Sequence, residues 1–285
     1  MQLRVENLDR AGGQIAASEL WRAPRDGSVI GFPRSNLFYA ELMEHEALDV
    51  RFSELTFFGS LNRGHRVLVL GNESKIRRVE EIVSGDVIVL KSADAVTSSH
   101  YYEALLMNAL SGSRIRPVPG YSGGARNMAV INGEVDCQIG SLEAVQPILE
   151  AGAGRIIFRL SSQPLPDGLP EVPRLADHLR RPDLAWGVDV IDAAAAIGRP
   201  LAGPPNTEPE AAALWETLFQ AVVEDAVFQA AAFADEGLVV EPASPEEIAA
   251  RLDALTNRGP SLRTDLESLL TCGQTLSEDL QSACG

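Results

Sequence analysis

The sequence predicts an α/β fold, and three observations predict it. Short runs rich in Val and Ile alternate with longer segments of helical period, the pattern of βαβ units around a mostly parallel sheet. The strand-like runs are concentrated before Leu160, and from Glu208 onward the chain turns Ala-, Glu- and Leu-rich. Hydrophobic residues make up 45% and charged residues 22% of the chain. That is enough apolar matter to offset the entropy of ordering a chain of 285 residues as one large domain or two medium ones.

Taken in order, Gln2–Val5 reads as a strand and Gly13–Arg22 as a helix, with Ser28–Gly31 and Leu55–Gly59 as further strands. Arg66–Leu70 is a strand too apolar for a sheet edge. Helix Ile76–Ser84 and strand Asp86–Leu90 follow, then helix Ser99–Ser111 and strand Ile115–Val118. Helix Gly123–Asn132, strand Cys137–Gly140, helix Ser141–Ala151 and strand Arg155–Leu160 continue the alternation, mostly punctuated by Gly, Pro, Ser or Asn. Ser162–Pro173 and Gly198–Pro209 are Pro-rich and read as ordered loops or crossings, with a short helix at Arg174–Leu179. The remainder is helical, over Glu208–Glu224, Asp225–Glu236, Pro245–Thr256 and Ser261–Leu270, and is expected to pack as one helical layer. Ser244 before Pro245-Glu246-Glu247 is a helix start with an N-cap hydroxyl, Pro in the first turn and acids facing the dipole.

Several function classes are excluded. A formal net charge of -16 without any Lys/Arg run repels phosphate backbones and anionic membranes, so nucleic acid is not an expected partner. The same charge leaves room for a small anion in a locally positive pocket. No apolar run is long enough for membrane insertion, and Met1–Glu6 does not read as a signal peptide. The four histidines, His45, His65, His100 and His178, lack the spacing of a zinc pair, so no metal is expected. The G-x-S-x-G elbow, the P-loop and the G-x-G-x-x-G fingerprint are missing, and no cofactor or catalytic residue is indicated. Cys137 lies in a strand and reads as a buried, inert thiol, whereas Cys272 and Cys284 could pair in an oxidising compartment or stay free.

Three strand-to-helix junctions stand out as binding candidates. Thr97-Ser98-Ser99-His100 places hydroxyls and free backbone N–H groups at a helix start, where anions bind, although Ser98 or Ser99 could equally be a plain N-cap. Tyr121-Ser122-Gly123-Gly124 lets a ligand approach the backbone closely at a second helix start, and Gly140-Ser141 forms a third. All three would open at the carboxyl ends of parallel strands, where α/β sheets place ligands.

At Pro119-Gly-Tyr-Ser-Gly-Gly124, followed by Ile131-Asn-Gly-Glu-Val-Asp136, the chain resembles the substrate-binding receptors of tripartite tricarboxylate transporters, the TctC/Bug family. Further matches occur in order at Val5-Glu6-Asn7 with Ala11-Gly12-Gly13, Pro24–Gly27, Phe57–Ser60, Asp167–Pro173 and Gly203–Pro209. The resemblance implies a type II periplasmic-binding-protein-like fold, two α/β lobes with a ligand cleft between them. Lobe I would comprise residues 1–72 plus 199–285, and lobe II residues 73–198. It implies a non-catalytic receptor for a small organic acid, a di- or tricarboxylate or similar, working with membrane subunits of the tripartite type in the periplasm. The ligand would be held by Ser98, Ser99, His100, Tyr121, Ser122, Gly123, Gly124, Gly140 and Ser141, with Phe32 and Ser35 from the other lobe.

The chain departs from the family pattern twice. It starts where the family's second strand would be, so the first strand and helix, with their Gly-rich anion loop, are expected to be missing. In the other clamp loop, Ser92–Ser98, Asp94 would repel a carboxylate if it faced the pocket. Two alternatives therefore stay open: a sensor outside transport, cytoplasmic if this start is real, or a truncated binding fold with altered specificity. An enzyme on the same fold would need a positioned nucleophile or acid–base pair in the cleft, and Cys137 exposed there beside a His would favour it.

Overall fold

A computed structural model describes residues 3–8, 13–43, 50–96, 98–259 and 261–278. Its elements are α1 (Gln14–Trp21), α2 (Asn36–Leu42), β1 (Thr56–Ser60), β2 (Arg66–Gly71), α3 (Val79–Val83), β3 (Ile88–Ser92), α4 (Ser99–Ser111) and β4 (Arg114–Val118). These are followed by α5 (Ala125–Ile131), β5 (Cys137–Ser141), α6 (Leu142–Glu150), β6 (Gly154–Arg159), α7 (Trp186–Ile197) and β7 (Pro200–Gly203). The chain continues with α8 (Pro209–Val223), α9 (Ala226–Glu236), α10 (Pro245–Thr256) and α11 (Ser261–Ser277). The α/β class is as the alternating pattern predicts. Two compact units emerge, one from Met1–Arg63 with Ala196–Asp253, the other from Gly64–Ala195 with Ala254–Gly285.

The first unit is built on the antiparallel pair β1–β7, in register from Thr56 opposite Gly203 to Ser60 opposite Pro200. Phe58, Leu201, Trp215, Phe219 and Val223 form its core as α8 lies on the pair. Gly59 takes φ 143°, and a Cβ there would come within 2.3 Å of the Phe219 ring, so both the backbone and the packing require glycine. Trp215 satisfies its indole N–H on the Gly27 carbonyl at 2.9 Å. At α10 the Ser244 hydroxyl accepts from Glu247 N, and Glu247 Oε2 accepts from Ser244 N, a reciprocal capping box.

Two strand expectations in this unit are corrected. Over residues 3–8 no strand forms, and Leu3 and Val5 stay exposed, because nothing among the described residues pairs with them. Residue 2 lies outside the described residues. Within Ser28–Gly31 only Gly31 joins the sheet, exchanging two main-chain bonds with Ala202. Conversely β7 lies inside Gly198–Pro209, a stretch whose prolines read as a loop; Pro200 is tolerated at the first position of a strand.

The second unit holds a five-stranded sheet in the order β4-β3-β5-β2-β6. β3 runs parallel to β4 and β5, and β2 runs antiparallel to both of its neighbours. Val67, Leu68, Val69 and Leu70 of β2 are fully buried, as a strand covered on both faces must be. Helices α5 and α6 cover one side through Ala129, Val130, Leu142, Val145 and Ile148. The Asp136 carboxylate of the Glu-Val-Asp motif accepts from Leu90 N at 2.9 Å and from Ser74 Oγ at 2.8 Å, so the motif's acid locks β5 to β3.

Helix α11 belongs to this unit, running to Ser277 where the sequence suggested Leu270. Gly273 brings it against α4 so tightly that a Cβ would sit 2.0 Å from the Leu105 carbonyl oxygen. Asn108 of α4 satisfies its whole amide, donating to the carbonyls of Ile115 and Gly273 and accepting from Ile115 N and Ser113 Oγ. The expected boundaries at 72/73 and 198/199, with all C-terminal helices in one layer, are thus corrected. β2 is an inner strand of the second sheet, and α11 packs on α4, while α8 packs on β1. Two helices escaped notice: α2, only seven residues long, and α7, whose Val, Ile and Ala residues are buried almost all round and show no helical period.

Candidate functional site

The parallel strands β3, β4 and β5 end at one edge of the second unit's sheet, and each hands over to a loop or helix start there. After β3, Ser98 stands at the N-cap of α4 but does not cap it; its hydroxyl turns back to the Ala95 carbonyl at 2.8 Å. The first turn of α4 therefore keeps its N–H groups without a side-chain cap. Ser99 is buried, with Oγ 3.4 Å from His100 Nδ1. Thr97 lies outside the described residues.

After β4, the turn is tied to the β3 loop by two main-chain bonds, Gly120 N to the Asp94 carbonyl at 3.0 Å and Tyr121 N to the Ala93 carbonyl at 2.9 Å. The sequence-predicted Tyr121, Ser122, Gly123 and Gly124 are thereby held beside the loop that leads into Ser98 and Ser99. The Tyr121 hydroxyl donates to Glu134 at 3.3 Å. Gly123, at φ 53°, needs glycine for its backbone; Gly124 does not, and an added Cβ at Gly124 would meet no atom within 4 Å. Nothing in the protein's own packing asks for glycine at Gly124. Gly140 is buried opposite Val67 in β5, and Ser141 closes that strand as the N-cap of α6 without a side-chain bond. In the first unit Phe32 is exposed and Ser35 stands half-buried at the N-cap of α2.

Beneath this edge lies a charged cluster that sequence patterning did not reveal. Asp94 Oδ2 accepts from Arg126 Nη1 at 2.6 Å, and the same Nη1 lies 2.6 Å from His100 Nε2. His100 Nε2 also lies 3.4 Å from Asp94 Oδ2, so this ring nitrogen sits between the guanidinium and the carboxylate, while Nδ1 faces Ser99. Burial, with Lys91, Arg126 and Arg66 nearby, pulls His100 down to about 3, so the ring is neutral. Burial alone would raise the Asp94 carboxyl; the contacts with His100 and Arg126 outweigh it and hold it below the usual carboxylate range. The expected repulsion by Asp94 is answered here, since its charge is matched by Arg126.

Deeper in, Arg66 of β2 pairs with Glu103 of α4, a carboxylate that is almost wholly buried. Lys91 of β3 is fully buried, and its ammonium donates to the Ser92 carbonyl. The available signal was a Lys directly following the apolar run Val87–Leu90 and a Glu inside the apolar segment of α4. Cys137, beside Lys91 on β5, is free and buried, and burial pushes its thiol up to about 12. A thiol so placed is no nucleophile at neutral pH. Cys272 is disulfide-bonded, and Cys284 lies outside the described residues, as does His45. No group of three or more His, Cys, Asp or Glu residues suited to a metal occurs among the described residues, and no helix there is long and apolar enough to cross a membrane.

No family model and no curated protein sequence matches the chain. Solved structures do. A TctC solute-binding protein from Polaromonas superposes with a TM-score of 0.68 at 14% identity, over 92% of this chain and 84% of that one. An R. palustris protein with adipate gives 0.64 at 18% identity, over 92% and 83%. MatC from Rhodopseudomonas palustris with bound malate gives 0.64 at 19% identity, over 91% and 85%. At these identities the likeness establishes that this chain shares the fold of those three proteins.

Proposed function

We propose that this chain is a non-catalytic receptor that captures a small organic acid at the carboxyl edge of the second unit's parallel strands. The observation that carries it is the pairing of an uncapped helix start at Ser98 and Ser99 with the open glycine turn Tyr121–Gly124, stitched together by two main-chain bonds. Main-chain N–H groups and a helix dipole hold a carboxylate without a basic surface, which suits a chain of net charge -16. The adipate and malate in two structures of the same fold support the choice of ligand class.

Among the described residues of this edge, Cys137 is buried and protonated and His100 is neutral and engaged, so neither is an activated nucleophile, which favours capture over chemistry. Delivery to membrane subunits of the tripartite type follows from the resemblance, and a disulfide at Cys272 fits an oxidising compartment such as the periplasm. Native mass spectrometry and thermal shift with malate, adipate, citrate and aromatic acids test the reading. A saturable rise in melting temperature with at least one acid is expected; no stabilisation by any of them refutes it.

A further inference from the structure

The second unit buries more positive than negative charge beneath the α4 start. Arg66 is matched by Glu103, and Arg126 is matched by Asp94. Lys91 is left over. Its ammonium reaches a carbonyl oxygen only, and no carboxylate lies within ion-pair distance of it among the described residues. The titratable and charged groups that face it are Arg66 on β2, His100 and Glu103 on α4, Arg126 on α5 and Cys137 on β5. Glu103 is engaged by Arg66, the thiol of Cys137 stays protonated and His100 is neutral. Burial outweighs the opposing pull of Cys137 and Glu103 and, with Arg126 and Arg66 adding to it, brings the Lys91 amine from 10.5 down to about 7. The unbound protein thus carries a half-charged ammonium that no carboxylate among the described residues pairs with, Glu103 acting on it only from a distance.

The place of this ammonium matters. Its acceptor, Ser92, ends β3 and leads straight into the loop whose far side is the uncapped first turn of α4. An anion seated on that turn would face both the helix dipole and the field of Lys91 across one short loop.

We infer that Lys91 supplies the counter-charge for the captured acid, so that the acid binds together with a proton. The inference rests on the acid-binding reading above and adds its regulation. The proton comes from solvent onto the free amine of Lys91, converting –NH2 to –NH3+, and no other bond is made or broken. Lys91 is a positioning residue that acts through its field without touching the ligand. A bound anion raises the amine's pKa above its unliganded value. Affinity is therefore flat below that value and falls with rising pH above it, until the pKa of the bound state is passed.

The test is calorimetric titration of malate and adipate into the full chain at about pH 6.5 and about pH 8.5, in buffers of different ionisation enthalpy. Affinity about tenfold weaker or more at the higher pH is expected, with uptake of a substantial fraction of a proton. Lys91→Met should bind more weakly and lose the slope. Lysine-labelled NMR of the wild type gives a second readout that needs no variant: the Lys91 amine should titrate higher with acid than without. Equal affinities at both pH values without proton uptake, an unmoved Lys91 titration, or an unchanged slope in Lys91→Met would overturn the inference alone. No binding at about pH 6.5, where Lys91 is largely charged, would overturn the acid-binding reading and this inference with it.

Discussion

The two units handle charge in opposite ways. Between Pro200 and Ala250, all in the first unit, there are ten acidic residues and no Lys, Arg or His. Of these acids Glu208, Glu210, Glu224, Asp225 and Asp235 are exposed. The second unit instead draws Arg66, Lys91 and Arg126 together with Asp94 and Glu103 beneath its strand ends. The larger share of the net negative charge lies on the solvated surface of the first unit; the electrostatics that matter for a ligand are set by a few desolvated groups in the other.

The largest effect should come from breaking a buried pair. Glu103→Ala leaves Arg66 without its carboxylate and is expected to cost about 3–5 kcal/mol by urea unfolding. Asp235→Ala and Glu224→Ala in the first unit should stay within about 0.5 kcal/mol. If the surface acids cost as much as Glu103, the contrast between the units fails.

Next comes Lys91. The unfolded chain holds its proton up to about 10.5 and the folded chain only to about 7, so unfolded molecules bind more protons in between. Stability should therefore rise with pH across that window, by up to about 1.4 kcal/mol per unit from this group. Lys91→Met should flatten the rise and unfold at higher urea near neutral pH, by roughly 1–4 kcal/mol. A variant less stable than wild type would show that the buried ammonium is stabilising.

Gly273→Ala should cost about 1–3 kcal/mol by thermal unfolding, because its Cβ meets the Leu105 carbonyl and α11 must retreat from α4. Gly124→Ala sharpens the comparison between packing and function. With open space at its Cβ and φ -64° it should change stability by less than about 0.5 kcal/mol, yet weaken acid binding about tenfold. Equal binding would remove Gly124 from the site.

Much of this fold was legible because it rests on local signals. β2, β4, β5 and β6 declare themselves by short Val/Ile-rich runs, and α4 runs over the residues its Ser-led apolar period suggests. The failures are cases where local signal and tertiary context part. Leu3–Val5 is apolar enough for a strand but finds no ladder partner, and β7 hides among prolines. Helix α11 docks in the second unit with Gly273 pressed against Leu105, a contact that no periodicity reports. At the site, the helix starts and the glycine turn follow from Ser, Gly and Tyr at strand ends. The charged cluster does not, because Arg66, Lys91, Glu103 and Arg126 come from four elements that only the folded sheet brings together.

The carboxyl edge of the second unit is the proposed seat for an organic acid. Native mass spectrometry and calorimetric titration of the purified chain with malate and adipate at about pH 6.5 test this most directly. Saturable one-to-one binding, with transferred NMR shifts at Ser99, Tyr121 and Gly124, is the result expected. No binding of any small acid, or binding that leaves those three residues unperturbed, would contradict it.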